Sequence, residues 1–544
     1  MFLSSIPIAS VSVLAGALGV ISHLGYFIHG EHHMQSVRIL CIFVLGPLIF
    51  FACNFFLYDF PIIEAGKATI VASTSFFVAL TLSILSYRVF FHPLRHFPGP
   101  FSARLTKLTH VARLLPNSDN FAQAHQLHQK YGEIVRVGPN ELTIINPDAI
   151  AAIHSSSSKC IKAPWYDAIG GPNPSLQLTR NRNTHDKRRK IWDQAFSARA
   201  LRNYEGRVDG YVDQLIAQLD NLANQPVNAS LWFNFYSFDV MGDLAFGKSF
   251  NMLKSGEKHF ALKLLQDGMR PVGILTPIPW ILPILLAIPG AGTGTKIFTK
   301  FIEDQAATRR KVQFQPNTPL LPDITSWLLD AEENSPDPMN KNPRWLNGDT
   351  GLMIVAGSDT TAATLSHIFY HLALDSTLGT KLRNELRTTA PCDAKFLAAL
   401  INETLRLHPP VPSGVLRQTP ASGLVFGDTF IPGNVTISMP IWSLGRLEGA
   451  FPNPSSFVPE RWTTSPELLK NKAAFMPFST GPYSCVGKQL ALLSLRTVVA
   501  RLVQRFDIRF AANETGQSLL RDTKDVFTLD VAPLNLIFVK RDPV

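Results

Sequence analysis

The chain is 544 residues long, with 46% hydrophobic and only 17% charged residues, a composition that excludes wholesale disorder and suits a large core together with membrane-embedded sequence. Its 51 Lys and Arg against 41 Asp and Glu give a net charge of +10, but no basic block marks a nucleic-acid tail, which leaves solvated surface, an anionic membrane or an acidic protein partner. Five scattered cysteines, Cys41, Cys53, Cys160, Cys392 and Cys485, exclude a secreted disulfide framework and favour a reducing compartment.

Three uncharged stretches come first, Met1–Ile28, Ile39–Tyr58 and Ala68–Tyr87. Each is long enough to span a bilayer, whose apolar core of about 30 Å takes roughly 20 helical residues. Three such runs in succession are rare in globular cores. No basic residue precedes the apolar stretch Ile6–Gly25, so a retained anchor is expected instead of a cleaved signal peptide. Arg38, His29, His32 and His33 mark the first connecting loop, whereas Asp59, Glu64 and Lys67 leave the second slightly negative. By the positive-inside rule, the first loop and everything after Arg88 face the cytosol and the amino terminus faces the lumen. The segment Tyr87–Pro100, rich in aromatic, basic and proline residues, reads as a membrane exit and rigid linker. The expected division is an anchor, residues 1–95, with two to three transmembrane helices and a linker, and a second domain, residues 96–544.

In that second domain Ile134–Val137 and Leu142–Ile145 read as strands among longer helical stretches, without a repeat. The fold class expected is mainly α with minor β. A helix over about Asp349–Leu374 carries the polar interruption Ala356-Gly357-Ser358-Asp359-Thr360-Thr361. There the Thr360 hydroxyl can bond the Ala356 carbonyl and loosen the helix, Gly357 admits close approach of a ligand, and an acid beside an alcohol can deliver protons to a buried oxygen species. Glu403-Thr404-Leu405-Arg406 sets opposite charges at i and i+3 before His408-Pro409-Pro410 ends the helix. Pro459-Glu460-Arg461-Trp462 is a proline-flanked loop whose arginine either meets solvent or joins a buried carboxylate. Near the carboxy terminus, FSTGPYSCVG places Cys485 between Gly481 and Gly487 at the mouth of an apolar helical run. Glycines there permit a tight turn, and free N–H groups with the positive helix end favour a thiolate, the axial ligand that oxygen-activating haem requires. Taken singly, each site has an ordinary explanation: an inert buried cysteine, a surface patch, a surface ion pair.

In the order AGSDTT, ETLR, PERW, FSTGPYSCVG, the four sites resemble the signature set of the cytochrome P-450 family of haem-thiolate monooxygenases. The likeness runs from about Tyr87 to the end, takes in LHQKYGEIVRVGPNEL and HDKRRKIWDQAF, and is nearest to microsomal enzymes of filamentous fungi. It implies a P-450 fold carrying haem b, with Cys485 as iron ligand, Phe478 against the sulfur loop, and Gly481 and Gly487 shaping it. It further implies Asp359 and Thr360 as the acid–alcohol pair of proton delivery, Glu403, Arg406 and Arg461 as a structural ion triad, and His185, Arg189 and Arg417 as contacts of the haem propionates. Two positions depart from the family pattern: Tyr483 stands where an arginine is usual, and His185 where many relatives have tryptophan. A phenol still donates a hydrogen bond, but without charge.

The resemblance implies NADPH-driven monooxygenation of a lipophilic small molecule, a terpenoid, polyketide or alkaloid of fungal secondary metabolism, with electrons from a diflavin NADPH-cytochrome reductase at the endoplasmic reticulum. Lys187, Arg188, Arg189, Lys190 and Lys488 are the expected basic face for that reductase. The pocket is expected near Trp165–Leu178, Leu352–Thr364, Pro412–Val415 and Phe527. Two other readings stay open: a redox-neutral haem-thiolate isomerase or dehydratase, and a non-catalytic haem- or sterol-binding membrane protein.

Overall fold

The computed structural model describes residues 7–315 and 323–541; Met1–Ile6, part of the first expected span, lie outside the described residues. Three apolar helices run over Ile8–Phe27, His33–Leu57 and Ile62–Phe91, each closing on a wide final turn. The second and third are longer than the uncharged runs and take in Arg38, Glu64, Lys67 and Arg88, because backbone hydrogen bonding does not stop at a charge; Glu64 and Lys67 pair at 2.9 Å. Their apolar side chains face outward, Val13 at 71% and Phe56 at 72% exposure, an arrangement that suits a lipid surrounding and is unfavourable in water.

The first helix lies directly on the third along a seam of small residues. Ser12 Oγ meets Ser75 Oγ at 2.7 Å and His23 Nδ1 meets Ser83 Oγ at 2.8 Å, while a methyl group on Gly19 would stand 2.4 Å from the Phe76 carbonyl oxygen. Such close backbone approach is how helices associate where no hydrophobic force separates them from lipid. The third helix leads straight into the second domain: Arg88 donates to Leu105 O at 2.6 Å, and Arg136 donates to Arg88 O at 3.3 Å.

Beyond the anchor, helices dominate and the sheets are small. A helix of 32 residues, Pro343–Leu374, crosses the core. It starts six residues earlier than expected because Asn342 caps it, accepting from the Arg344 amide, and Pro343 fits its first turn. Against it pack the mostly buried helix Ala229–Phe246 and the carboxy-terminal helix Lys488–Arg505. The expected strands appear as the hairpin Ile134–Gly138 and Glu141–Ile144, with Ile134 opposite Ile144. Three further short strands complete that sheet in the order Ile134–Gly138, Glu141–Ile144, Thr436–Ser438, Arg417–Gln418, Ile161–Lys162. Its last pair sets Lys162 directly across from Arg417, residues that no local pattern connects.

Candidate active site

Two side chains that ought to be hidden are exposed. Ala356 is open although the helix around it is otherwise packed and Thr361–Tyr370 is buried throughout. Cys485 is likewise accessible although it lies deep enough for burial to push its thiol above the usual range. Each therefore faces open space from an otherwise packed surrounding, the space we take as the candidate chamber. Thr360, one turn on from Ala356, donates to the Ala356 carbonyl at 2.8 Å as the sequence predicts, but the helix runs through unbroken. Gly357 does not face the chamber: a methyl group there would sit 2.6 Å from Met241 Sδ, so this glycine serves the contact with helix Ala229–Phe246 and not ligand approach. Asp359 turns away from Thr360 into a separate polar cavity of about 240 Å³ shared with Asn228, Asn234, Gln266, Arg270 and Asp530. Burial, and after it the charge of Asp530, pushes its carboxyl up to about 7, against a hydrogen bond from Asn234.

The sulfur loop is held from several sides. The Cys485 amide donates to Phe478 O at 2.8 Å, which closes the loop. Backbone N–H groups of Gly487 and Lys488, with the charges of Arg189 and Lys488, oppose the effect of burial and favour the thiolate. Gly481 sits at φ +69°, and a Cβ there would stand 1.7 Å from His154 O, so no other residue fits. Gly487 is less constrained, with an ordinary φ of −79° and only van der Waals neighbours for a Cβ, among them Cys485 Sγ at 4.0 Å. Arg189 is turned onto the loop backbone, donating to Ser484 O at 2.6 Å and Pro482 O at 3.2 Å, and pairs with Asp193. Its guanidinium is thus engaged with the loop backbone and with Asp193.

Behind the loop, Glu403, Arg406 and Arg461 are completely buried. Glu403 takes both arms of Arg406 at 2.7 and 2.9 Å, Arg461 Nε at 3.3 Å, Trp462 Nε1 at 2.9 Å and the Val458 amide at 2.9 Å. The spare N–H groups of the two arginines go to loop carbonyls of Gly445, Pro452, Asn453, Pro454, Ser456 and Leu468.

A family model described as Cytochrome P450 matches residues 98–537. The chain belongs to the cytochrome P450 family. It is 41% identical to cytochrome P450 monooxygenase FCK2 of Fusarium pseudograminearum, over 96% of each chain. It is 40% identical to cytochrome P450 monooxygenase notG' of Aspergillus versicolor, over 98% of this chain and 99% of that one. With the tryprostatin B 6-hydroxylase of Aspergillus fumigatus it shares 39% identity over 97% and 96% of the two chains. It is thus a monooxygenase enzyme, mostly helical, with three amino-terminal helices fit to cross a membrane.

The cofactor of a P450 is haem, and the donors around the chamber suit it. At the far side of the sulfur loop the cations outnumber the carboxylates. Arg417 lies over the Tyr483 ring at 4.8 Å, Lys162 at 5.1 Å and Arg182 at 5.4 Å, with His185 edge-on at 4.5 Å. Arg417 Nε and Trp165 Nε1 are buried with no hydrogen-bond partner among the described residues. Burial, Arg417 and Arg189 hold the Lys162 ammonium well below its usual range, and burial and Lys162 bring His185 down to about 4. Unanswered donors beside crowded positive charge suit an acidic edge such as paired propionates. Lys162 is the residue that sequence reasoning missed. It stands over the tyrosine that replaces the usual arginine, and only the register of a two-residue strand puts it there.

Three of the expected pocket segments meet: Trp165 stacks on Phe527 at 4.9 Å, and Ser413 bonds Asp525, two residues before Phe527, while Leu176 bonds Asp349 on the long helix, ahead of the fourth segment. Phe527 reaches Trp165 from a hairpin tip at φ +89°. One basic residue leaves the expected reductase face: Arg188 is buried, with Nε 2.6 Å from Asp349, to which Trp192 also donates. Lys187, Lys190 and Lys488 remain exposed.

Proposed function

We propose that this P450 is an NADPH-driven monooxygenase that inserts one oxygen atom of O2 into a lipophilic secondary metabolite, with electrons from a diflavin reductase. The observation that supports the reading is that Cys485 and Ala356, one turn before Thr360, are both exposed although the elements around them are packed, with the Trp165–Phe527 stack as the proposed far wall. Bound haem supplies the oxygen chemistry there, and the thiolate tunes it. Cys485 is the iron ligand, Arg417, Lys162, His185 and Tyr483 hold the acidic edge, and Phe478, Gly481, Gly487 and Arg189 shape the loop. Asp359 collects protons from its polar cavity on one side of the long helix, and the Thr360 hydroxyl presents them to the chamber on the other. An apolar wall selects an apolar substrate, and the hydroxylase named among the relatives supports a terpenoid, polyketide or alkaloid of fungal secondary metabolism. Residues 1–95 form the anchor and 96–544 the catalytic domain, which faces the cytosol from the endoplasmic reticulum, with Lys187, Lys190 and Lys488 toward the reductase.

The test is expression in reductase-containing microsomes, with extracts compared by mass spectrometry with and without NADPH. Product is expected only with NADPH; product without it would instead establish a redox-neutral isomerase. Cys485→Ala should abolish the red-shifted Soret band of the reduced, carbon-monoxide-bound protein along with the product. Thr360→Ala should keep the band and still consume NADPH, releasing more peroxide and less product, because general acid assistance is typically worth about 10²–10⁴ in rate. An unchanged product-to-NADPH ratio in that variant would remove Thr360 from the proton path.

A further inference from the structure

The loop between the first and second membrane helices is not free. Glu31 in that loop takes both arms of Arg180 at 2.8 and 2.9 Å and accepts from Gln418 Nε2 at 2.8 Å. Two residues on, His33 Nε2 lies 3.3 Å from Asp167 Oδ2, and Asp167 itself pairs with Arg180. Arg180 also donates through Nε to Lys162 O at 3.0 Å and through its other arm to Gln418 Oε1 at 2.9 Å.

One guanidinium thus gathers three pieces of the chamber wall: strand Ile161–Lys162, strand Arg417–Gln418 and the helix Trp165–Ala168. The first and second carry the cations at Tyr483, and the third carries Trp165. Glu31, Asp167 and His33 are spaced closely enough to suggest a cation site, but Arg180 already places its charge between the two carboxylates, so the cluster is an ion-pair network. The loop cannot drift, because its first helix is locked to the third by the Ser12–Ser75 and His23–Ser83 bonds, and the third is fastened to the catalytic domain at Arg88. A bidentate, partly shielded carboxylate in a network holds its partner far better than a lone surface pair does.

We propose that Glu31 is a positioning residue for the active site: from the membrane anchor it orients Arg180, and through Arg180 the strand pair of Lys162 and Arg417 and the helix of Trp165. The anchor is then part of the substrate-side wall and more than a tether. This rests on the reading of the chamber as the haem and substrate site.

The experiment uses the full chain in microsomal membranes, with Glu31→Gln, the conservative Glu31→Asp, and Glu64→Gln as an anchor control. Two haem-binding probes are titrated by their Soret shift: imidazole, which fits any chamber, and the bulky azole clotrimazole, which must press on the wall. Glu31→Gln should weaken clotrimazole by about 3- to 10-fold, the scale of one lost charge-assisted contact, and leave imidazole within about 2-fold, while Glu31→Asp restores both. Equal weakening of both probes, or no change in either, would overturn the proposal. A second measurement needs no haem: His33→Cys with Asp167→Cys should be joined by a short bis-maleimide, and absence of the joined peptide would overturn it too. If the wild-type chain lacked the thiolate Soret band, the haem reading would fail while the joined peptide still reported the contact.

Discussion

Two clusters of cationic side chains flank the sulfur loop, and they are built on opposite plans. Around Glu403, the carboxylate answers both arginines, and the remaining guanidinium N–H groups go to six loop carbonyls. Around Tyr483, Lys162, Arg182 and Arg417 crowd together, Asp186 pairs with Arg182 and His185 at the rim, and Arg417 Nε is left without a partner among the described residues. The first cluster is closed, and its charge is spent on shape. The second leaves a buried donor unanswered beside excess positive charge, and in the proposed function that charge meets an anion. Burial of arginine alone does not distinguish structure from function; what separates the two is whether the donors are already answered.

The largest effect that tests this contrast is expected in the closed cluster. Glu403→Ala strands two buried guanidinium groups, an indole N–H and a backbone amide, at about 3–5 kcal/mol, so that little haem-loaded protein should accumulate and the apoprotein should unfold early in urea. Normal urea resistance in this variant would show that the cluster is not structural. In the open cluster the two properties should separate. Lys162→Met removes a depressed ammonium among like charges together with its 2.7 Å hydrogen bond to Leu176 O, so the apoprotein should change little in stability, yet haem retention should weaken by about 10- to 100-fold, the worth of one charged hydrogen bond. Haem transfer to apomyoglobin reads this directly, and an unchanged transfer rate would show that the cluster holds no propionate.

The smallest effect concerns the acid on the other side of the long helix. Asp359 stands at about 7 against an ordinary 3.8, so the folded chain binds this proton more tightly than the unfolded one. The stability it contributes is full below about pH 4 and drains away as pH rises through 7. Asp359→Asn, which keeps the neutral form at every pH, should therefore raise the thermal midpoint at pH 8 by more than at pH 5. A gain that did not grow with pH would show that Asp359 is charged in the fold.

What could be read in advance was what is local to one helix or one turn. The Thr360 bond to Ala356 follows from i to i−4 geometry, the Glu403–Arg406 pair from i to i+3, and the strands at Ile134 and Leu142 from their short strand-like runs, though not their pairing as a hairpin. What escaped depends on rotation or register between distant segments. Which way Gly357 faces is fixed by Met241 on another helix, and Arg188 leaves the surface because Asp349 lies across from it. Lys162 meets Arg417 only through a strand pair two residues long, and the seam at Gly19 exists only once the first helix lies on the third. Motif order, by contrast, survived because the sulfur loop, the triad and the long helix are each compact in sequence.

Phe527 bears on how such an enzyme changes. A phenyl side chain held at φ +89° is disfavoured by about 1–3 kcal/mol, and it sits at the tip of a hairpin between Lys524–Val526 and Thr528–Asp530, where it meets Trp165. Replacement by glycine relaxes the backbone at the same stroke that removes the ring from the wall. Most mutations that reshape a binding site spend stability and so limit how many can accumulate; at this position relief of strain offsets the lost packing. A substitution by glycine at Phe527 therefore reshapes the face of Trp165 at a smaller loss of stability than removal of an unstrained core ring would cause.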